Sequence, residues 1–497
     1  MIIPFAERRV VAVTALAAAI FGTFLALHYH ELGLTLTHYD ARGHLIVARR
    51  IFDSITPGWQ QIGAVWLPLP HLLNAIPIQN DFLYRTGASG VAISIASFAI
   101  ATGSIAWIVL AITQSEGAAL AGAAVFALNP NVLYLQSTPM TEPLLMALTC
   151  LSMATLMAYL TDASNPLEPL DPSSRGGIRL CGTLCALACL TRYEAWPVTA
   201  VGLVLAATTD TRTQSRRNVI RIALYPLIAI LGFSIFSRVV VGEWFVTGDF
   251  FVPENKALGD WWMSTKEVAW GTKMLSSEPL VWVAAVGLTA VAIVALRNPS
   301  RRAAVVTLAL GATAAIPVAA FHRGHPFRIR YMIPLLAVEA VGCGLAAGVI
   351  RRLRIPAATA ILALAVATLR PLDANAPMAV EAQWDAPNLP IRAQVTACLR
   401  EWKPGQKIMA SMGSLGHYMQ EASTAGFQIR DFLHEGNGDI WLAALDEPWL
   451  YADWMLIEEK AEGGDMLARI ARERPKFLEG YERVCEGAGL ALYHRVR

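Results

Sequence analysis

The chain has 497 residues, of which 55% are apolar and 16% are charged. Because soluble proteins carry roughly a quarter charged residues, this composition excludes a disordered chain, a nucleic-acid-binding protein and a conventional soluble enzyme. The net charge of +2 conceals an asymmetry: residues 1–370 hold 27 Lys and Arg against 19 Asp and Glu, whereas residues 371–497 hold 13 against 19. We therefore predict a hydrophobic domain over 1–370 and a soluble domain over 371–497.

Apolar runs recur along the whole first domain. A membrane-spanning helix needs roughly 20 predominantly apolar residues, and eleven runs reach or approach that length. We predict an all-α polytopic membrane domain of about 11 transmembrane helices, the first of them an uncleaved helix and the sixth a short one. The runs cover 10–28, 83–112, 118–136, 140–160, 179–196, 197–209, 220–240, 280–296, 303–321, 331–350 and 355–370.

The positive charges between these runs predict the orientation of the chain. When alternate connections are grouped, one side collects short basic segments at five separate places, as cytoplasmic loops do. This places the N-terminus in the cytoplasm and, with an odd number of spans, the C-terminal domain outside the plasma membrane. The basic residues are Arg8, Arg9, Arg175, Arg179, Arg212, Arg216, Arg217, Arg221, Arg297, Arg301, Arg302, Arg351, Arg352 and Arg354.

Two of the predicted outer loops are long, over 29–82 and 241–279, and the second carries four tryptophans typical of the headgroup zone. In the first loop, residues 40–54 have the pattern of an amphipathic helix lying on the membrane surface. We expect its apolar side chains to face lipid and its arginines to face water. The apolar residues are Leu45, Ile46, Ala48 and Ile51, and the arginines are Arg42, Arg49 and Arg50.

The C-terminal residues alternate between patterns typical of strands and of helices. Strands are predicted over 407–411, 427–432 and 453–458, a helix over 466–478, and a terminal hairpin turning at 487–489. This indicates a small α/β domain outside the membrane. Its two cysteines, Cys398 and Cys485, would pair in an oxidising compartment, but spacing alone leaves the pairing open.

Ionisable residues next to membrane spans are costly, so they are candidates for function. The segment FHRGHPFRIR, residues 321–330, breaks the positive-inside pattern and holds His322, Arg323, Arg328 and Arg330. Basic side chains at an outer membrane face are well placed to bind a phosphate or diphosphate headgroup. A structural or lipid-anchoring role for the segment stays open.

Asp40 lies just after the first predicted span, in HYDARGH. A carboxylate there is able to accept a proton from an attacking hydroxyl, and it is equally able to cap the helix that begins there. His44 follows one turn later and would either orient Asp40 or join it on a metal, although two ligands do not make a metal site.

Three further charges lie at predicted outer helix ends. Glu142 stands in STPMTEPLL at the start of the fourth span, and Arg192 and Glu194 stand in TRYEAWP at the end of the fifth. Arg192 and Glu194 are too close in sequence to face each other on one helix, so we expect one or both to reach a partner elsewhere. The chain has no nucleotide-binding glycine motif, so any activated donor would be carried by a lipid.

These segments together resemble the GT-C superfamily of polyprenyl-phosphate-dependent membrane glycosyltransferases. The resemblance rests on the acid early in a long first outer loop, on NP followed by TPMTEPLL, on TRYEAWP and on the late RIRYMIPLL. It is closest to the bacterial branch related to protein O-mannosyltransferases and the lipid A aminoarabinose transferase. The resemblance covers about 1–370, and SMGSLGHYM and IRDFL extend it to the extracytoplasmic domain.

The resemblance implies inverting transfer of a sugar from a polyprenyl-phosphate carrier to an acceptor hydroxyl at the outer face. Asp40 matches the family's catalytic acid of the first loop, which acts as the general base. Glu142 matches an acid that positions the acceptor or a metal, and Arg328 and Arg330 match residues that hold the carrier phosphate. Many relatives have a paired acid at the first position, whereas Ala41 follows Asp40 here, which leaves a divalent metal as an open requirement.

Two other functions are alternatives to glycosyl transfer. A transporter or lipid flippase needs a polar path through the bilayer, whereas these ionisable residues gather at one face and the chain shows no inverted halves. A non-catalytic scaffold gives no reason for acids and arginines to collect at one level.

Overall fold

The computed structural model describes residues 5–163, 175–209, 213–244 and 255–496. The chain forms two compact units. We call Met1–Leu32, Val91–Arg238 and Glu243–Glu381 the helical unit, and Gly33–Gly90, Val239–Gly242 and Ala382–Arg497 the mixed unit. Packing thus groups the residues differently from the composition-based boundary after residue 370, because most of the first predicted outer loop belongs with the C-terminal residues.

All eleven predicted apolar runs contain helices, and apart from residues 83–90 the described runs lie almost entirely in the helical unit. Within the described residues, eight helices are long and apolar enough to cross a membrane, and a ninth is added if the bent pair Glu116–Ala127 and Pro130–Gln136 is one span. The two remaining runs coincide with the shorter apolar helices Gly176–Cys189 and Ala195–Thr209. The chain is therefore a multi-pass membrane protein with the predicted order of helices.

The helices of this unit, in chain order, are Phe5–Glu31, Ala88–Thr113, Glu116–Ala127, Pro130–Gln136, Glu142–Ala163, Arg175–Cys189, Ala195–Thr209, Thr213–Phe236, Trp261–Leu275, Glu278–Arg297, Pro299–Ala314 (3₁₀), Ala315–His322, Leu335–Val349, Arg354–Leu369 and Pro377–Ala382. Part of the predicted second outer loop, residues 245–254, lies outside the described residues.

Small residues allow these helices to pack closely. A Cβ atom added at Gly287 would lie 1.9 Å from the carbonyl oxygen of Gly342, so the helices Glu278–Arg297 and Leu335–Val349 are in backbone contact there. Such contacts are typical of membrane helices, whose association depends on van der Waals packing.

The bend of 68° between Glu116–Ala127 and Pro130–Gln136 has a local cause. Asn129 caps the second helix, and its side-chain oxygen accepts the backbone N–H of Asn131 at 2.9 Å. Pro130 occupies the first helical position, where its missing N–H costs nothing. The bend carries the chain into residues 137–141, directly before Glu142.

The mixed unit is built around a five-stranded sheet of order β2-β1-β3-β5-β4. Strands β1 (Ile408–Ala410), β2 (Phe432–Leu433) and β3 (Trp454–Glu458) are parallel, and β4 (Tyr481–Gly487) and β5 (Leu490–Arg495) add an antiparallel hairpin. Its helices of six residues or more are Tyr39–Arg49, Leu69–Asn74, Asp81–Thr86, Leu389–Ala397, Met412–Ala422, Asp439–Asp446 and Met466–Glu473.

The strand predicted over 427–432 is mostly wrong. Only Phe432 and Leu433 pair in the sheet, and the preceding residues Ile429–Asp431 form a 3₁₀ turn. The carboxylate of Asp431 accepts the N–H of Gln428 at 2.8 Å, which stabilises the turn against the extended conformation. The other predicted strands, the helix and the terminal hairpin are present.

The prediction of a surface helix facing lipid over 40–54 is also wrong. Leu45, Ile46 and Ala48 are buried in the core of the mixed unit, together with residues of the helix Met412–Ala422. Arg42 and Arg49 are buried as well, since Arg42 pairs with Glu421 and Arg49 pairs with two aspartates. An amphipathic pattern reports one apolar face, and here that face packs against protein.

Cys398 and Cys485 form a disulfide with a Cα–Cα distance of 6.3 Å, which links the region after the helix Leu389–Ala397 to β4. We expect the Cys398→Ser/Cys485→Ser variant to lose roughly 2–5 kcal/mol of stability, because the bond closes a loop of 87 residues in the unfolded chain. Thermal unfolding of the full chain in detergent measures the loss. A reductant should lower the midpoint of the wild type and leave the double variant unchanged; equal midpoints for both proteins would contradict the expectation.

Candidate functional site

A buried group of charges connects two helices of the helical unit. Glu142 begins the helix Glu142–Ala163 and is 0% exposed. One nitrogen of Arg192 lies 3.1 Å from its carboxylate, and another lies 2.8 Å from the carboxylate of Glu194. The guanidinium also donates to the hydroxyl of Thr141 at 3.0 Å. Because an uncompensated charge is costly when buried, the positive charge of Arg192 compensates the two carboxylates that it contacts.

Arg192 and Glu194 pair directly, although their spacing in sequence argued against it. The helix Arg175–Cys189 ends before them and the helix Ala195–Thr209 begins after them, so helical geometry does not apply. The expected partner elsewhere also exists, because Arg192 reaches Glu142 from 50 positions along the chain. Arg192 is therefore fully engaged by protein groups, which favours a positioning role over direct contact with substrate.

The late basic segment contributes a second guanidinium to this group. Arg330 is 7% exposed and lies close enough to Arg192 for the two charges to repel. It lies over the ring of Tyr331, with 5.2 Å from the guanidinium carbon to the ring centroid. Glu142, Arg192, Glu194 and Arg330 thus form one cluster, which we call the Glu142 cluster.

Arg328 is half-buried and precedes Arg330 by two residues. Burial and the positive charges of Arg328 and Arg330 lower the pKa of His325, so its imidazole is neutral. The ring of His325 hydrogen-bonds the Tyr331 hydroxyl at 3.4 Å. A neutral imidazole adds no positive charge, so Arg328 and Arg330 supply the positive charge around His325.

His322 and Arg323 have different surroundings from Arg328 and Arg330. The ring of His322 stacks on Trp261 with 3.8 Å between ring centroids, and its carbonyl accepts the N–H of Gly259. Arg323 is exposed at the end of the helix Ala315–His322. His322 therefore contacts the start of the Trp261–Leu275 helix through both its ring and its carbonyl oxygen.

Asp40 belongs to the mixed unit and lies in the first turn of the helix Tyr39–Arg49. It is 6% exposed, and its backbone N–H donates to Nδ1 of His38, the N-cap residue. The cap is therefore His38, which leaves the Asp40 side chain outside the capping role. A carboxylate in the first turn is stabilised by the helix dipole, by about 0.3–1 kcal/mol.

His44 pairs with a histidine that the sequence did not single out. Its Nδ1 lies 3.1 Å from Nε2 of His71, and its ring packs against Trp66 at an interplanar angle of 45°. Burial and the charge of Arg50 lower the pKa of His71 to about 3, so His71 is neutral. Among the described residues, no third metal ligand joins the two imidazoles, which favours a hydrogen-bonded pair over the metal site considered for Asp40 and His44.

One group of three potential metal ligands exists in the described part of the chain: Asp385, His417 and Glu421, in the mixed unit. Arg392 already binds both carboxylates, at 2.6 Å from Asp385 and 2.8 Å from Glu421. Burial and the charge of Arg392 lower the pKa of His417 to about 4. Because a guanidinium takes the place that a cation would occupy, these residues fit an ion-pair network. No spacing signal in the sequence connected them.

The Glu142 cluster does not fit a divalent metal either. Arg192 neutralises both of its carboxylates, and Arg330 adds a further positive charge. A divalent cation would have to displace a buried guanidinium, so the residues of this cluster do not fit a metal-dependent step.

No protein-family model matches the sequence, and no curated protein matches it. Solved structures do match the fold over nearly the whole chain. The structure of ArnT from Cupriavidus metallidurans bound to undecaprenyl phosphate has a TM-score of 0.57 and 13% identity, covering 95% of this chain and 97% of that one. The apo form of the same protein has a TM-score of 0.61 and 11% identity, covering 96% and 98%.

An archaeal structure has a similar fold. Oligosaccharyltransferase AglB from Archaeoglobus fulgidus, in complex with an inhibitory peptide and a dolichol-phosphate, has a TM-score of 0.55 and 12% identity, covering 92% of this chain and 70% of that one. The chain shares the fold of ArnT and AglB, so the predicted architecture, a polytopic helical domain with a C-terminal α/β domain, is confirmed.

Proposed function

We propose that the chain is a glycosyltransferase that moves a sugar from a polyprenyl-phosphate carrier to an acceptor hydroxyl, with inversion, at the outer face of the plasma membrane. One observation carries the proposal: the buried Glu142 cluster lies in a fold shared with GT-C structures that contain undecaprenyl phosphate or dolichol-phosphate. Neither a transporter nor a scaffold requires two buried carboxylates locked on one arginine beside a second guanidinium.

The chemistry follows from where charge develops. As the glycosidic bond breaks, the departing phosphate gains negative charge, and fixed guanidiniums stabilise that charge more in the transition state than in the ground state. Arg328 and Arg330 supply this stabilisation. Arg192 holds Glu142 and Glu194 in place, and its charge, already balanced by them, does not compete for the phosphate.

Asp40 acts as the general base in this proposal. It takes the proton of the acceptor hydroxyl as that oxygen attacks the anomeric carbon from the face opposite the phosphate, which inverts the configuration. The helix Tyr39–Arg49 that carries it is fixed by buried ion pairs, Arg42 with Glu421 and Arg49 with Asp53. A base on a rigid element keeps its direction, which is what proton transfer in a transition state needs.

The orientation of the chain is part of the proposal. The basic connections predicted to be cytoplasmic support a mixed unit outside the membrane. The disulfide between Cys398 and Cys485 supports the same orientation, since disulfides persist in oxidising compartments.

The experiment is to incubate the purified full chain with a panel of polyprenyl-phosphate sugars, in the presence of peptide, glycan or lipid acceptors that carry a free hydroxyl, and to measure the release of carrier phosphate. We expect release with at least one donor and an inverted linkage in the product. A transporter or flippase would instead move the labelled lipid across proteoliposomes without cleaving it. Transbilayer movement with intact donor would overturn the proposal.

A further inference from the structure

A groove of about 550 Å³ lies on the helical unit, apart from the Glu142 cluster. Its walls are Phe21 and Leu25 from the first helix and the segment from Arg370 to Asp373 that follows the last long helix. Phe21, Leu25, Pro371 and Leu372 make the walls largely carbon, and Arg370 and Asp373 are the two charged residues at its edge. Its size falls in the range of roughly 300–1,000 Å³ that is typical of ligand sites.

The groove borders a surface that faces lipid. The helix Phe5–Glu31 exposes Leu16, Ile20, Phe24 and Leu27 by 58–72% each, as expected for a span at the edge of a helix bundle. The helix Arg354–Leu369 ends immediately before the groove's charged edge. The groove therefore lies where a membrane helix ends, so that hydrocarbon meets its apolar walls and headgroups meet its polar edge.

The guanidinium at this edge has no ion-pair partner in the part of the chain that the structure describes. Arg370 is exposed, and within the described residues no carboxylate comes within 4 Å of it to form an ion pair. The carboxylate of Asp373 is used locally, since it accepts the N–H of Asn375 at 2.9 Å and stabilises the turn. A free guanidinium beside an apolar groove matches a phosphate attached to a hydrocarbon chain.

We infer that this groove binds one anionic glycerophospholipid of the surrounding bilayer, with an acyl chain along Phe21 and Leu25 and its phosphate on Arg370. The polyprenyl carrier has the same chemistry, but its phosphate has to react beside Arg328 and Arg330. The groove shares no lining residue with the Glu142 cluster. Lipid binding in this groove does not depend on the proposed glycosyl transfer; only the choice of a bilayer phospholipid over the polyprenyl carrier rests on it.

Native mass spectrometry of the full chain, titrated with phosphatidylglycerol in detergent, tests the inference. We expect Arg370→Gln to weaken binding about five-fold, the effect of one basic residue near an anionic headgroup. Leu372→Asp should weaken phosphatidylglycerol binding at least as much, because the substitution places a second carboxylate in the groove. The Leu372 side chain is 63% exposed, so the fold should tolerate the change. Arg352→Gln, at an exposed arginine in the 3₁₀ turn that precedes the helix Arg354–Leu369, is the matched control and should bind as the wild type does.

Two further arms identify the lipid. Phosphatidylcholine should bind the wild type more weakly and respond little to Arg370→Gln, because its headgroup has no net charge. Polyprenyl phosphate should not displace bound phosphatidylglycerol. Equal binding by Arg370→Gln and Arg352→Gln would overturn the inference, and displacement by polyprenyl phosphate would overturn the assignment to a bilayer phospholipid. Thermal unfolding of each variant shows that the fold is retained.

Discussion

Asp40→Asn is expected to lower the rate of sugar transfer by about 10²–10⁴-fold, the usual contribution of a general base. Asparagine has nearly the same shape and keeps the first helical turn, but its amide has no basicity for the acceptor's proton. Because the donor binds through its phosphate, the donor KM should change little while kcat falls. Steady-state kinetics with the active donor from the panel measures both constants.

A matched control separates this effect from a change in folding. Asp439 also lies in the first turn of a helix of the mixed unit, but it is exposed. Asp439→Asn should transfer sugar at the wild-type rate. Full activity in Asp40→Asn would remove Asp40 from the mechanism, and an equal loss in both variants would indicate a defect of the unit as a whole.

Arg330→Gln is expected to reduce kcat by about 10²–10³-fold, similar to the loss of one preorganised donor at a developing anion. The side chain is 7% exposed, so its charge acts in a poorly screened environment. Arg330→Lys should recover part of the rate, because it keeps the charge but loses the planar pair of donors that binds phosphate.

The separate changes in kcat and KM show why Arg330→Gln loses activity. Stabilisation of the departing phosphate predicts that kcat falls more than KM rises, whereas simple ground-state binding predicts a change in KM alone. Arg352→Gln, at an exposed arginine outside the Glu142 cluster, serves as the control with wild-type kinetics. An Arg330→Gln enzyme with unchanged kcat would refute the role.

The positions of the membrane helices could be predicted because the length of an apolar run is a direct consequence of bilayer thickness. The surroundings of the helix Tyr39–Arg49 could not. Its apolar face has the same pattern whether it meets lipid or protein, and its burial depends on a segment more than 300 residues later. Only the contact with the helix Met412–Ala422 in the folded protein shows that this face packs against protein and not against lipid.

The candidate site was predictable in its members but not in its connections. Glu142, Arg192 and Arg330 stood out as charges at helix ends, yet nothing in the sequence showed that one arginine would join both acids. The pairing of Arg192 with Glu194 depends on where two helices end, and such boundaries are the least certain part of any pattern. The His44–His71 pair and the ion pairs of Arg392 could be recognised only in the folded structure.

The mixed unit draws its core from two segments separated by about 290 residues, Gly33–Gly90 and Ala382–Arg497. During synthesis the first segment leaves the ribosome long before the second exists. At 5–20 residues per second the delay is roughly 15–60 s. During this delay Leu45 and Ile46 lack their C-terminal packing partners, while nearly every transmembrane helix is inserted. Neither segment has its complete core when expressed alone, so a truncated gene product ending after the last helix would leave a half-built, aggregation-prone surface.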